Sequence, residues 1–145
     1  MSAVLLPDVN VLVYAHREDT TQHPVCRRWL ERLVNGREAY GLSELVLSAF
    51  VRVVTHPKVF IRPSSIADAL GFGEQLRERA NCVPVAPGPR HWQIFRSLCV
   101  EAGAKGNLVP DAFLAAMAIE SGCEWVTTDR DFRRFKGLRS RAPGI

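Results

Sequence analysis

The sequence predicts an α/β protein, a three-layer α/β/α sandwich with a mainly parallel central sheet. Three observations lead there. The short, wholly apolar run Val4-Leu5-Leu6 suits a strand covered on both faces, the usual setting of a parallel sheet. Between the expected strands lie stretches with apolar residues at helical spacing. Pro and Gly punctuate the chain at short intervals, at Asn35-Gly36, His56-Pro57, Arg62-Pro63, Pro87-Gly88-Pro89 and from Gly103 to Pro110, as short loops between packed elements require. Strands that alternate with helices are the mark of a layered α/β architecture.

Each element has its own signal. Val4 to Leu6 is expected as the first strand, and Val11 to Ala15 as a short helix. Pro24 suits the first helical position of a helix to Val34, with Cys26, Trp29, Leu30 and Leu33 on one stripe and Gly36 as the stop. Ala39 to Leu42 is expected as a strand. Ser43 suits an N-cap, and Leu45, Val46, Ala49, Phe50, Val53 and Val54 form the apolar stripe of the helix it opens, ended by Pro57. Leu47 and Val51 lie on that helix's other side, either against a neighbouring helix or at a partner surface. Ser64 or Ser65 caps a helix to about Ala80. Cys82 to Val85 reads as a strand, and Pro89 to Ala102 as a helix with Trp92, Phe95, Leu98 and Cys99 inward. Pro110 to Ser121 is apolar almost all round and so should be buried. Trp125 to Thr127 is expected as a strand, with a last short one near Leu138 to Ser140.

The 145 residues suit one domain spanning 1–145. Hydrophobic content of 47% and charged content of 23% exclude a disordered, collagen-like or coiled-coil chain. The longest wholly apolar stretch, Ala112 to Ile119, falls far short of the ~20 residues of a membrane span. The opening MSAVLLPDVN has no basic leader, so no signal peptide is expected. Cys26, Cys82, Cys99 and Cys123 form no CxxC pair. They read as reduced apolar residues of a cytoplasmic protein.

Charge is unevenly placed. The chain carries +4 overall, and the segment from Arg130 to Arg141 alone carries +5, with Arg130, Arg133, Arg134, Lys136, Arg139 and Arg141 against Asp131. Such a local excess suits either a polyanion contact or a solvated tail. Acids occupy places of a different kind. Asp8 follows the first strand and Asp129 the fourth, while Glu44 and Asp111 stand at helix starts. The carboxyl ends of strands in a parallel sheet are where ligands bind. Helix-start acids also serve the macrodipole, which by itself accounts for Glu44 and Asp111. Asp8, among Leu5, Leu6, Val9 and Val11, needs a partner or a cation if buried. Acids that converge raise one another's pKa unless a cation neutralises them. An all-oxygen set suits Mg²⁺ or Mn²⁺. Beside a basic stripe, such a cluster points to phosphodiester chemistry.

Leu6-Pro7-Asp8-Val9-Asn10, Ser43-Glu44, Pro110-Asp111-Ala112-Phe113-Leu114-Ala115-Ala116 and Thr127-Thr128-Asp129-Arg130-Asp131-Phe132 resemble, in order and spacing, the PIN domain, and in particular the VapC toxins of type II toxin–antitoxin pairs. The stretch Ser48-Ala49-Phe50-Val51-Arg52-Val53-Val54-Thr55-His56-Pro57 resembles the subgroup common in mycobacteria. The resemblance implies a PIN-like fold and a Mg²⁺- or Mn²⁺-dependent endoribonuclease that cuts structured RNA (tRNA, rRNA or mRNA), leaves a 5′-phosphate and inhibits translation and growth. It implies catalytic and metal-holding roles for Asp8, Glu44, Asp111 and Asp129, with Asn10, Thr127 and Asp131 supporting them. Arg130, Arg133, Arg134 and Lys136 are the candidate RNA contacts. A cognate VapB-type antitoxin and a homodimer are the implied partners.

Other residues fit ordinary roles. His16, His23, His56 and His91 are scattered, which disfavours a two-histidine nuclease. Trp29, Trp92 and Trp125 match apolar faces, and Arg52 suits either an acid or RNA partner or simple exposure. A haloacid-dehalogenase-type phosphatase would want an acid where Asn10 stands and a well-placed lysine, and Lys58, Lys105 and Lys136 are not well placed. A non-catalytic PIN-like binding module is the remaining alternative.

Overall fold

The computed structural model describes residues 3–144. In chain order the elements are β1 (Leu5–Pro7), α1 (Val9–His16), α2 (His23–Asn35), β2 (Tyr40–Leu42), α3 (Glu44–Val54), α4 (Ile66–Arg77), β3 (Cys82–Pro84), α5 (His91–Ala102), α6 (Leu108–Ser121), β4 (Glu124–Val126), a 3₁₀ turn (Arg130–Arg134) and β5 (Ser140–Arg141). The five strands form one sheet in the order β3-β2-β1-β4-β5, and every neighbouring pair is parallel. Leu5, Leu6 and Pro7 stand in register with Glu124, Trp125 and Val126.

The order of the strands dictates the layers. The chain steps from β1 to β2 to β3 in one direction, then returns across β1 to β4 and β5. Right-handed crossovers taken in opposite directions put their helices on opposite faces. Accordingly α1 packs on α2 and α3, and α3 on α4, while α5 and α6 pack on each other. The strand order reverses between β1 and β4, the place where parallel α/β sheets bind ligands at the carboxyl ends of the strands.

Local chemistry sets the helix ends. Ser43 Oγ accepts the Leu45 N–H at 3.1 Å, and Ser65 Oγ accepts that of Asp68 at 3.1 Å. Gly103 and Gly122 end α5 and α6 in left-handed conformation, which glycine adopts without steric cost. The helix expected from Pro110 starts two residues earlier, at Leu108. Pro110 stays inside the first turn, where its missing N–H costs no helical bond. Sheet pairing likewise shifts three strands: β1 lies one residue later than Val4 to Leu6, β4 one residue earlier than Trp125 to Thr127, and β5 begins at Ser140.

The core is continuous and holds Trp125, Tyr40, Phe50, Phe132, Leu6, Leu12 and Met117 fully buried, with α6 contributing Ala112 and Ala115 to Ala118. Trp29 and Trp125 pack inside as expected, but Trp92 does not: it is 64% exposed on α5, tilted against Phe95. On α3, Leu45 is exposed, against the expected stripe, and Leu47 is buried, the neighbouring-helix alternative for that side. The helix turns Leu47 toward α4, where its methyl groups lie over the Cβ position of Gly73. Arg52 is exposed. All four cysteines are free thiols, Cys26 and Cys123 buried and Cys82 and Cys99 partly so.

The sheet is tightest at Gly41 of β2. A Cβ there would stand 2.9 Å from Val85 Cγ2 and 3.2 Å from Leu6 Cδ1, and both partners are buried. Gly41→Ala should therefore lower unfolding free energy by about 1–3 kcal/mol through overpacking. Urea denaturation measures it; an unchanged midpoint would show that the two walls yield freely.

Candidate acidic site

Asp8 leaves the sheet at the end of β1 and caps α1. Its backbone N–H donates to the carbonyl of Val126 at 2.8 Å, which ties it to β4 at the reversal point. The side chain is only 4% exposed. Every neighbour bonded to it is a donor. Oδ1 accepts the Val9 N–H at 2.6 Å, and Oδ2 accepts the Thr127 hydroxyl at 2.7 Å and the Asn10 amide at 3.2 Å.

Thr127 is committed to this arrangement. Its oxygen accepts the Asn10 Nδ2–H at 3.3 Å and the Asp129 N–H at 3.0 Å. The single hydroxyl proton is thus left for Asp8 Oδ2. Asn10 closes the network: its Oδ1 accepts the Thr128 N–H at 3.2 Å. Asp129 Oδ1 in turn accepts the Asp131 N–H at 2.9 Å and caps the 3₁₀ turn. This turn, which the sequence reading did not separate, is what joins the acids to the basic segment.

Electrostatics link three of the expected acids. Burial pushes the Asp8 carboxyl up to about 6 against the lowering pull of Thr127 and Val9, and the charges of Asp111 and Asp129 push it the same way. Asp111, half-buried on the first turn of α6, is also pushed up to about 6, first by burial and then by Asp129 and Asp131. Asp111 has no hydrogen-bond donor and no basic partner among the described residues. A partly desolvated carboxylate facing only like charge fits a hard divalent cation with oxygen ligands. As the side chains stand, no three acidic, imidazole or thiol groups among the described residues close on a single point.

Glu44 stands differently. It caps no network and is mostly exposed, and its Oε2 meets Arg77 Nη2 of α4 at 3.1 Å. Its charge is absent from the causes that raise Asp8 and Asp111. The structure thus brings Asp8, Asp111, Asp129 and Asp131 into one field and gives Glu44 to Arg77. Of the basic segment, Arg139 donates to the Gly122 carbonyl and Arg141 pairs with Glu124. Arg130, Arg133, Arg134 and Lys136 are exposed and form no ion pair among the described residues. The histidines serve packing and turns. His91 is buried and bonds the Phe113 carbonyl, while His16 sits edge-on to Phe50 and Phe72 and bonds Ser64.

The PIN domain family model matches residues 5–138. The chain is 46% identical over 140 residues to ribonuclease VapC43 of Mycobacterium tuberculosis, covering 97% of this chain and 95% of the relative. It is 42% identical over 142 residues to ribonuclease VapC25 of the same organism, covering 98% and 100%. Among solved structures, VapBC2 from Rickettsia felis, bound to a DNA fragment from its promoter, aligns with a TM-score of 0.69 at 17% identity, over 97% of this chain and 98% of that one. VapC20 of M. tuberculosis, a sarcin–ricin loop cleaving toxin, aligns at 0.64 with 15% identity, over 93% and 98%.

The raised Asp8 carboxyl makes a pH prediction. The folded protein keeps this proton at pH values where the unfolded chain, near 3.8, has lost it. Lowering the pH through about 6 therefore stabilises the fold through Asp8, and raising it through about 6 removes that contribution. In chelator, wild type should gain about 2 kcal/mol on Asp8→Asn between about pH 7.5 and about pH 4. Denaturant titrations at the two pH values measure this; a pH-independent gap between the two proteins would mean that Asp8 is not desolvated.

Proposed function

This chain belongs to the PIN domain family, among the VapC ribonucleases, and on that premise we propose that it is the toxin of a toxin–antitoxin pair, an endoribonuclease dependent on Mg²⁺ or Mn²⁺. One observation carries the metal assignment: Asp111 is a half-buried carboxylate whose charged neighbours are Asp129 and Asp131, with Asp8 in the same field. Asp8, Asp111 and Asp129 would hold the ion, with Asp131 beside them. When bound, the ion supplies Lewis acidity at the phosphodiester and neutralises the acids around it.

The chain's own residues do the rest. Thr127 and Asn10 fix the Asp8 rotamer through bonds to Oδ2, and the Asp129 N–H on Thr127 oxygen ties the third acid to the same network. Ligand-orienting bonds of this kind typically carry 10–100-fold in metal affinity or activity. Arg130, Arg133, Arg134 and Lys136 would hold the RNA backbone next to the acids, and they do so without regard to sequence. Glu44 completes the family's four acids. It would bind the ion or orient the attacking water, and its Oε2 meets Arg77 Nη2. Asn10 cannot serve as the general acid of a phosphatase, since a carboxamide has no proton to give up near neutral pH; its amide instead bonds Asp8, Thr127 and Thr128. A VapB-type antitoxin, a homodimer, a cytoplasmic site of action and growth arrest through cleavage of tRNA, rRNA or mRNA complete the reading.

The test is cleavage of end-labelled structured RNAs by the purified protein. Mn²⁺ or Mg²⁺ should support cuts that leave 5′-phosphates, and chelator should abolish them. Asp8→Asn and Asp111→Asn should each lower the rate by about a thousandfold or more while the protein still melts cooperatively. Full activity in either variant, or cleavage in chelator, contradicts the assignment. Hydrolysis of small phosphate esters without RNA cleavage would point to the phosphatase instead, and no activity with no Mn²⁺-induced rise in melting temperature to a binding module.

A further inference from the structure

A cavity of about 610 Å³ opens beside the acids rather than over them. It lies where β2 and β3 end, and its walls include Leu42, Leu45, Val85 and Pro87, with Glu44 and Arg77 as its charged members. β2 is the parallel neighbour of β1, whose carboxyl end carries Asp8. Neighbouring strands lie ~4.8 Å apart, so cavity and acids share one edge of the sheet. A splayed-out nucleotide next to the scissile phosphate would reach this space.

We propose that the cavity receives a guanine base of the RNA strand, read by Arg77 and Glu44 together; the inference rests on the nuclease reading above. The two side chains meet in a single contact, Arg77 Nη2 to Glu44 Oε2 at 3.1 Å. Four guanidinium N–H groups and the other carboxylate oxygen keep their capacity for a ligand. Guanine is the base whose O6 and N7 take the arginine fork while N1–H and the N2 amino group remain as two donors for a carboxylate. The aliphatic and proline walls cover the faces of the ring, as apolar side chains do for extruded bases. Arg77 is thereby a specificity-determining residue, and its pairing with Glu44 has a purpose beyond a surface ion pair, which by itself contributes little.

The experiment uses an oligoribonucleotide pool randomised around the cut. Wild type should show a guanine preference at one fixed position. Arg77→Lys keeps the charge and loses the fork, and should reduce that preference about tenfold or more while melting like wild type. A second readout needs no cleavage: guanosine monophosphate, and not adenosine monophosphate, should move the amide resonances of Leu45, Arg77 and Val85, and Arg77→Lys should abolish the effect. Cleavage without guanine preference, a preference unchanged in Arg77→Lys, or guanosine-insensitive cavity resonances (the outcome if a protein segment is the occupant) would overturn the proposal and leave the nuclease reading standing. Guanosine-dependent shifts in a protein that cuts no RNA would overturn the nuclease reading and keep the base site.

Discussion

A carboxylate taken out of water is the constraint around which this molecule is arranged. Asp8 is nearly inaccessible, and burial outweighs the bonds that favour its charge. A buried ionised group without compensation costs several kcal/mol, and proteins answer with donors, a cation or a proton. Here the donors come from both sides of the reversal point, Val9 and Asn10 after β1 and Thr127 after β4. The remaining imbalance is negative, and Asp111 and Asp129 enlarge it. The proposed function answers that imbalance with a cation.

Topology supplies the rest. Because the strand order reverses beside β1, residues about 120 apart in sequence are joined by a direct hydrogen bond between Thr127 and Asp8. The 3₁₀ turn that follows Asp129 then carries Arg130, Arg133 and Arg134, with Lys136 just beyond it, all exposed and without an ion pair among the described residues. In the proposed function, attraction for a polyanion and affinity for a divalent cation would sit side by side. Each opposes the cost of the other, since backbone contacts hold phosphate near a cluster that would repel it.

Much of this was legible in the sequence. The apolar strand before Asp8, the Ser43 cap and the alternation of strands and helices fixed the architecture, because period and capping are local properties. Asp8 and Asp129 stood out because a carboxylate next to an apolar strand has no local explanation. Glu44 carried the same motif signal, yet its side chain pairs with Arg77 of α4, a contact between distant segments that spacing cannot reveal. Trp92 failed for a related reason. Its helix position matched an apolar stripe, but on α5 it is His91 and Leu98 that are buried, His91 bonding the Phe113 carbonyl of α6, while Trp92 is left exposed. The stripe on α3 departs at Leu45, and the choice left open for Leu47 falls to burial against α4, because the face that meets α4 is decided by packing, not by period.

The central claim is that Asp8, Asp111 and Asp129 form one site for a hard cation, and Mn²⁺ tests it most directly through its paramagnetism. In ¹⁵N-labelled protein, small additions of Mn²⁺ should first broaden the amide resonances of Val9, Asp111, Thr128 and Asp131, and Mg²⁺ should restore them by competition. Broadening spread evenly over exposed acids such as Glu18, Glu31 and Glu101, with these four amides unaffected, would contradict the account.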